Sequence, residues 1–462
     1  MTEIALALAF AVAQASGGPV QHAHQQVDEA AATPEHEGVY GPYPMSQEAS
    51  GTSWKPASSG MEGIHFRRGK WALMMHGFVN AAYGAASGGR GDEMFFSTNM
   101  GMLMGQRRLG RGTLGVRVMT SLEPAMGSRG YPLLLQTGET FDGSTPLIDR
   151  QHPHDFFMEL ALTYSLALPE DRSLFLYLAP AGEPALGPPA FMHRPSGIDN
   201  PLAPISHHWL DSTHISYGVV TAGFVQAPSL KIEVSAFNGR EPDHRRWMLE
   251  TPRLDSYSTR ISVNPTPRLA LQASFAELKS PEALHPGTDY QRLTASALFS
   301  LKFRGLDWHG TLAWGRNRRE RIVYRVTPGG VVTSARKAIT HYIPPGPDGP
   351  EEPFERIFIT PTSLQSAYLA EAAVKRGTRH TVFARFERAH KDELFLSDNP
   401  GANIVFNVQK LELGYIYDFV ERPFLALGAG VSGGVHFVPQ GLTAVYGSQP
   451  KSVLIFGRAK LR

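Results

Sequence analysis

From residue 70 onward, apolar and polar residues change places at every second position over short segments. In 230–238, Leu230, Ile232, Val234 and Ala236 alternate with Lys231, Glu233 and Ser235. In 293–304, Leu293, Ala295, Ala297, Phe299, Leu301 and Phe303 alternate with Thr294, Ser296, Ser300, Lys302 and Arg304. A period of two is that of a β-strand, whose successive side chains point to opposite faces. About sixteen segments carry it: 70–82, 94–107, 113–123, 156–168, 174–179, 213–225, 230–238, 256–264, 269–277, 293–304, 307–315, 364–375, 381–387, 407–419, 424–437 and 452–461. The connections alternate as well. Those at 109–112, 169–172, 227–229, 265–267, 305, 377–379 and 421–422 are tight; those at 125–155, 180–212, 239–255, 279–291, 316–363 and 389–406 are long. An even number of strands with short turns at one end and long loops at the other predicts an all-β fold. It is a transmembrane antiparallel β-barrel with short periplasmic turns and long outer loops.

Average composition conceals such a barrel, because only alternate residues meet lipid. Hydrophobic residues make up 42% of the chain, and no run approaches the roughly 18 apolar residues that a membrane-spanning helix needs. Backbone groups in lipid must be paired, which leaves a closed sheet as the way across. The apolar rows then face lipid and the polar rows face a lumen. Lumen positions include Arg117, Glu159, Lys231, Glu233, Arg260, Lys302, Glu371, Lys375, Arg385, Glu387, Lys410 and Glu412. Their mixed sign argues against strong ion selectivity. Trp71, Tyr83, Tyr164, Tyr217, Trp308, Trp314, Tyr415 and Tyr417 read as outward aromatics of interfacial girdles.

Ahead of the barrel, residues 4–12 are apolar and end in Ala13-Gln14-Ala15, a small-residue cleavage pattern. The expected division is a signal peptide over 1–15, a disordered periplasmic arm over 16–68 and an outer-membrane barrel over 69–462. The absence of cysteine excludes disulfide and thiolate chemistry, and a formal net charge of +2 gives no reason to expect nucleic acid.

Histidine is concentrated. Six of eighteen, His152, His154, His193, His207, His208 and His214, fall within two long loops and their strand junctions. Imidazoles beside carboxylates are ligands that zinc and copper(II) accept, so these six are the candidate metal ligands. The same residues would also satisfy the buried backbone of an inward-folded loop without any metal. Both loops carry segments too apolar for free outer loops, Gly130-Tyr131-Pro132-Leu133-Leu134-Leu135 and Pro188-Pro189-Ala190-Phe191-Met192. They are expected to fold into the bore, where Arg117, Arg129, Arg150, Asp155, Glu159, Arg194, Asp199 and Asp211 form a constriction. Met100, Met102 and Met104 share one face of their strand. Because Ser97, Asn99 and Arg107 occupy the other, the Met row is expected to meet lipid, with Met119 the better metal contact.

Catalytic signatures are few: there is no Gly-x-Ser-x-Gly elbow, phosphate loop or Cys nucleophile. A hydroxyl–imidazole–carboxylate set from Ser206, His154 or His208, and Asp155 or Asp211 stays open as a hydrolase acting on lipid or peptide. Several stretches nevertheless resemble an uncharacterised family of bacterial outer-membrane barrels associated with copper and heavy-metal resistance gene clusters. They are Gly130-Tyr131-Pro132-Leu133-Leu134-Leu135-Gln136-Thr137-Gly138-Glu139, Asp149-Arg150-Gln151-His152-Pro153-His154-Asp155, Ile205-Ser206-His207-His208-Trp209-Leu210-Asp211 and Phe237-Asn238-Gly239-Arg240-Glu241-Pro242. The resemblance covers 70–462 and implies a metal link by association; it supplies no catalytic residues.

The expectation is therefore a non-enzymatic, porin-like channel of the Gram-negative outer membrane for small hydrophilic solutes or metal species. No cofactor is required, and copper or zinc is the candidate ion. Outer-membrane lipid, lipopolysaccharide and the barrel assembly machinery are the expected partners. The alternatives are the hydrolase and a plugged structural barrel.

Overall fold

Each alternating segment pairs with the next along the chain, and the last returns to the first. The computed structural model describes residues 37–251, 253–285, 287–319, 322–327, 330–335, 356–360, 363–396 and 404–462. A short strand β1 (Ile64–Arg68) precedes β2 (Trp71–Ala86), β3 (Glu93–Leu109), β4 (Gly112–Thr120), β5 (Phe157–Leu168) and β6 (Arg172–Gly182). Next come β7 (Ser216–Gln226), β8 (Leu230–Phe237), β9 (Ser256–Thr266), β10 (Leu269–Leu278), β11 (Tyr290–Phe303) and β12 (Leu306–Arg319). The wall finishes with β13 (Ser363–Arg376), β14 (His380–Lys391), β15 (Phe406–Arg422), β16 (Leu425–Phe437) and β17 (Lys451–Leu461). Antiparallel pairing of β2 with β17, from Phe78↔Lys460 to Ala86↔Ser452, closes sixteen strands into a barrel. β1 pairs with Trp71–Met75 of β2 and continues the seam past the end of β17. All sixteen expected segments are strands of this wall. The expected signal peptide and the first part of the arm lie outside the described residues, as does most of 316–363, whose described part includes a small three-stranded antiparallel sheet.

The wall has the expected two faces. Ile232, Val234, Leu293, Phe299, Leu413 and Ile455 are among a broad set of exposed outward apolar side chains, while the alternate positions are buried. Three details differ from the sequence reading. Tyr217 points inward, fully buried. Lys302 is on the inward row but so near a tight turn that it stays exposed. The Met row is reversed: Met100 and Met104 are buried inside, whereas Phe95 and Leu103 of the same strand are exposed outside. Ser97 and Asn99 had suggested a wet inner face, but they serve loop 121–156 on the outer side. The Ser97 amide meets the Met126 sulfur and Asn99 accepts from the Leu122 amide.

The bore is filled from both ends. Loop 183–215 crosses it and bonds to strands around the wall. Its Ala185 and Gly187 amides donate to Ser235 and Ser274, Asn200 donates to Glu412, and the Arg385 guanidinium donates to the Leu202 carbonyl. Loop 121–156 lies beside it, with Tyr131 stacked on Phe96 at 4.6 Å and accepting from the Ala203 amide. From the tight-turn end comes residue 37 onward. The expectation of a disordered arm over 16–68 does not describe 37–60, which is folded inside the barrel. Val39, Tyr40, Tyr43 and Trp54 pack on inward Phe175, Tyr177, Val219 and Val225.

Candidate functional site

The charges along the inner wall are dry, and most of them are paired. An open aqueous pore would leave them wet, but Lys231, Glu233, Arg260, Arg292, Glu387 and Lys410 are each no more than 1% exposed. Desolvating so many ions is tolerable only when each finds an opposite partner or strong hydrogen bonds. Four networks supply these for most of the interior charges; outside them Lys410 pairs with Glu412 at 2.9 Å, Glu387 accepts from the Ser206 hydroxyl at 2.8 Å and Arg292 donates to Asn317 at 2.8 Å and Ser212 at 3.1 Å.

At the tight-turn end the N-terminal segment acts as a plug. Arg117 donates to the Gly51 carbonyl at 2.8 Å and pairs with Glu159, which also accepts from Tyr177 at 2.8 Å. Lys231 donates to the Thr52 carbonyl, and Arg260 reaches the Thr52 hydroxyl at 2.9 Å while holding Glu233 at 3.0 Å. Inside the plug, Glu48 accepts from the Val39 amide at 2.6 Å; burial nonetheless raises its pKa, with Arg117 opposing.

Midway, Arg194 is the hub of loop 183–215. Its guanidinium is fully buried and donates to Glu371 at 2.8 and 3.0 Å, to Asp211 at 2.6 Å and to the Pro189 carbonyl at 3.0 Å. Arg385 shares Glu371 at 2.9 Å. Burial pushes the Asp211 carboxyl up, and Arg194 with His207 more than offsets it, so the group stays ionised. A third network joins Asp199 to Lys375 at 2.9 Å and to Arg458, which continues to Asp418. The fourth runs along loop 121–156, where Asp155 accepts from Tyr217 and Arg246, and Arg246 also holds Glu139 at 2.7 Å.

Of the expected constriction, then, Arg117, Asp155, Glu159, Arg194, Asp199 and Asp211 are buried inside, spread over these networks instead of forming one ring. Arg129 and Arg150 are not in it. Arg129 is exposed, and Arg150 sits at the long-loop rim paired with Asp92 at 2.5 Å. Both belong to the outer turns of loop 121–156, where water solvates Arg129 and the Arg129 and Gly130 carbonyls with Asp92 hold Arg150.

Five of the six histidines converge. Ring centroids lie 5.1 Å apart for His207–His214, 5.2 Å for His154–His214, 5.7 Å for His207–His208 and 6.4 Å for His152–His208. His193 is separate, 6.1 Å from His76 on β2. Nδ1 of His154 faces Glu123 at 2.8 Å, that of His207 faces Asp211 at 3.0 Å, and that of His214 faces the Asp211 carbonyl at 2.7 Å. Because those partners only accept, Nδ1 carries the proton and Nε2 the lone pair. Nε2 of His154, His208 and His214 is buried without a hydrogen-bond partner among the described residues. Burial holds the rings neutral: His152, His207 and His214 fall below the ordinary imidazole range, and His208 falls to about 4. His152 contacts Glu139 at 3.2 Å, and His208 lies 2.9 Å from Glu241 without the alignment of a hydrogen bond.

Sequence reasoning missed Glu123, Glu139 and Glu241, which lie 13 or more residues from the imidazoles they face, and Arg246, which holds Glu139 and Asp155. It also missed the plug. The available signal was inward apolar residues, since Phe175, Tyr177, Val219 and Val225 oppose rows that are themselves apolar. A strand apolar on both faces is covered on both faces.

The hydrolase set does not assemble. The Ser206 hydroxyl donates to Glu387 at 2.8 Å, not to an imidazole, while His154 is engaged by Glu123 and Asp155 by Tyr217 and Arg246. Among the described residues, Glu282, His285 and Glu393 form a compact three-donor group at the long-loop end, where Arg319 approaches Glu393 at 3.6 Å.

Fold and interior together define a sixteen-strand barrel with a lipid-facing apolar wall and a bore occupied by its own chain. No family model matches the sequence, and no curated protein matches it. Solved structures that resemble it are outer-membrane proteins. The anion-selective porin of Comamonas acidovorans has 10% identity over 85% of this chain and 100% of that one, with a TM-score of 0.46. The outer membrane channel DcaP of Acinetobacter baumannii has 12% identity over 87% and 100%, TM-score 0.47. OmpF of Salmonella typhi has 9% identity over 86% and 100%, TM-score 0.48.

Proposed function

We propose that the chain is a porin-like barrel of the Gram-negative outer membrane whose path for small hydrophilic solutes is closed by its own plug and inward loops. One observation carries this: the inner wall is lined with charges, as a solute path requires, yet the plug 37–60 and loop 183–215 keep them from water. The continuous outward apolar face suits lipid and lipopolysaccharide, and insertion is a task for the barrel assembly machinery. Mixed interior charge favours small polar solutes over ions of one sign. The test is conductance in a planar bilayer. The intact chain should be nearly silent, and deletion of 37–60 should produce discrete steps, because that deletion removes the acceptors that now cover Arg117, Lys231 and Arg260. Steps of equal size from both proteins would overturn the plug.

A second reading concerns the metal species. The unpartnered Nε2 lone pairs of His154 and His214, beside a His208 ring with neither nitrogen hydrogen-bonded among the described residues, favour contact of copper or zinc with the imidazole cluster. Either ion should then raise the melting temperature of the refolded protein by ligand linkage. Replacing His152, His154, His207 and His208 with Ala should abolish the rise; an undiminished rise would place the ion elsewhere.

A further inference from the structure

The inward turn of the Met row creates a site that the imidazole cluster does not explain. Strand register sets Met74 opposite Met104 and His76 opposite Met102 on β2 and β3, and Met102 opposite Met119 on β4. Directly opposed residues hold their β-carbons about 5 Å apart, so this is one continuous patch of thioethers around an imidazole. Loop 183–215 adds His193, whose Nε2 lies 3.4 Å from the Met119 sulfur. Met74, Met102, Met104, His76 and His193 line one cavity of about 150 Å³ between the wall and the plug. Nδ1 of His76, a residue 5% exposed, has no hydrogen-bond partner there.

We propose that this cavity binds one soft monovalent metal ion of the silver(I) or copper(I) class. Thioether sulfur is a weak ligand for hard or borderline cations and a good one for copper(I). An imidazole nitrogen and a sulfur bound to one ion at ordinary bond lengths and a tetrahedral angle sit about 3.5 Å apart, close to the observed His193–Met119 separation. Lys55, Arg117 and Lys375 line the same cavity with Glu48, Glu62 and Asp307, a balance that suits a single positive charge better than two. Ordinary packing would use the methionines to fill space; here they line a cavity.

The site is independent of the five-imidazole cluster, and the experiment separates the two. The full chain, labelled at its methionine methyl groups, is titrated with silver nitrate in detergent. Signals of Met74, Met102, Met104 and Met119 should shift together and saturate at one ion per barrel, while methionines remote from the cavity stay in place. The His152, His154, His207 and His208 to Ala variant should behave identically. Met74→Leu, Met102→Leu and Met104→Leu combined should weaken binding at least thirtyfold, and Met104→Leu alone should weaken it measurably. Leucine keeps the apolar volume, so the barrel should remain folded. Unmoved signals at these four residues, unchanged affinity in Met104→Leu, or displacement of silver by equimolar zinc would each overturn the assignment.

Discussion

Replacing Arg194 by Leu should release loop 183–215 from the wall. In the native bore two guanidiniums, Arg194 and Arg385, face two carboxylates, Glu371 and Asp211, all at most 5% exposed. The substitution leaves two buried carboxylates with one guanidinium and removes four donated hydrogen bonds. Breaking a buried pair from one side costs about 3–5 kcal/mol, because the stranded charge cannot be solvated where it stands. At about 1.4 kcal/mol per tenfold, local opening should become at least a hundredfold more frequent. Hydrogen exchange followed by mass spectrometry reads this directly from peptides spanning 183–215, since exchange tracks local opening. The Gly197 and Ile198 amides, both bonded to the Arg194 carbonyl, are the internal reporters. Arg194→Lys should fall between the two proteins, keeping the charge but losing the fork that grips Glu371 twice. Arg172→Ala, which breaks the solvent-facing pair with Glu170, should change nothing in these peptides. Exchange in Arg194→Leu within threefold of the native rate would refute the claim that this network secures the loop.

Two other outcomes follow from the interior. Burial, against Arg246, pushes the Glu139 carboxyl up to about 8. A carboxyl whose native pKa exceeds its unfolded value binds more protons when folded, so its support is full at low pH and fades as pH rises through about 8. Glu139→Gln should therefore shrink the difference in melting temperature between about pH 5 and about pH 8; an unchanged difference would show that Glu139 does not titrate in this window. Gly187 has φ of 78°, and a β-carbon there would lie 2.0 Å from the Leu210 carbonyl oxygen. Gly187→Ala should destabilise the folded protein by more than about 1 kcal/mol, read as a lower melting temperature, and native stability in this variant would contradict the close approach.

Strand segments were legible because the barrel imposes one rule on every strand. Leu230–Phe237 shows it plainly, lipid on one side and paired ions on the other, so its period survives in the sequence. Where both faces of the wall are covered, the rule weakens. The sequence places Tyr217 on the outer row, whereas it points inward, because Ser216–Gln226 is apolar on both faces and its period of two carries no direction. The Met row was misassigned for a related reason. Ser97 and Asn99 are polar yet outward; Asn99 donates to the Ser97 hydroxyl and accepts from the Leu122 amide of loop 121–156. Five histidines converge, as their clustering along the chain suggested, and Asp211 is close by in sequence, but the carboxylate partners Glu123, Glu139 and Glu241 come from scattered positions.

The sequence by itself determined the strands, their even number, the alternation of short and long connections and the crowding of imidazoles, because each depends on neighbours within a few residues. Only the tertiary structure decided that the bore is filled, that 37–60 is a plug and that the thioethers face inward. Those outcomes depend on which charges meet across the barrel, such as Arg194 with Glu371, 177 residues apart. Desolvation makes such meetings decisive: a buried ion is costly unless an opposite charge or strong hydrogen bonds meet it, and those partners are set by the tertiary fold.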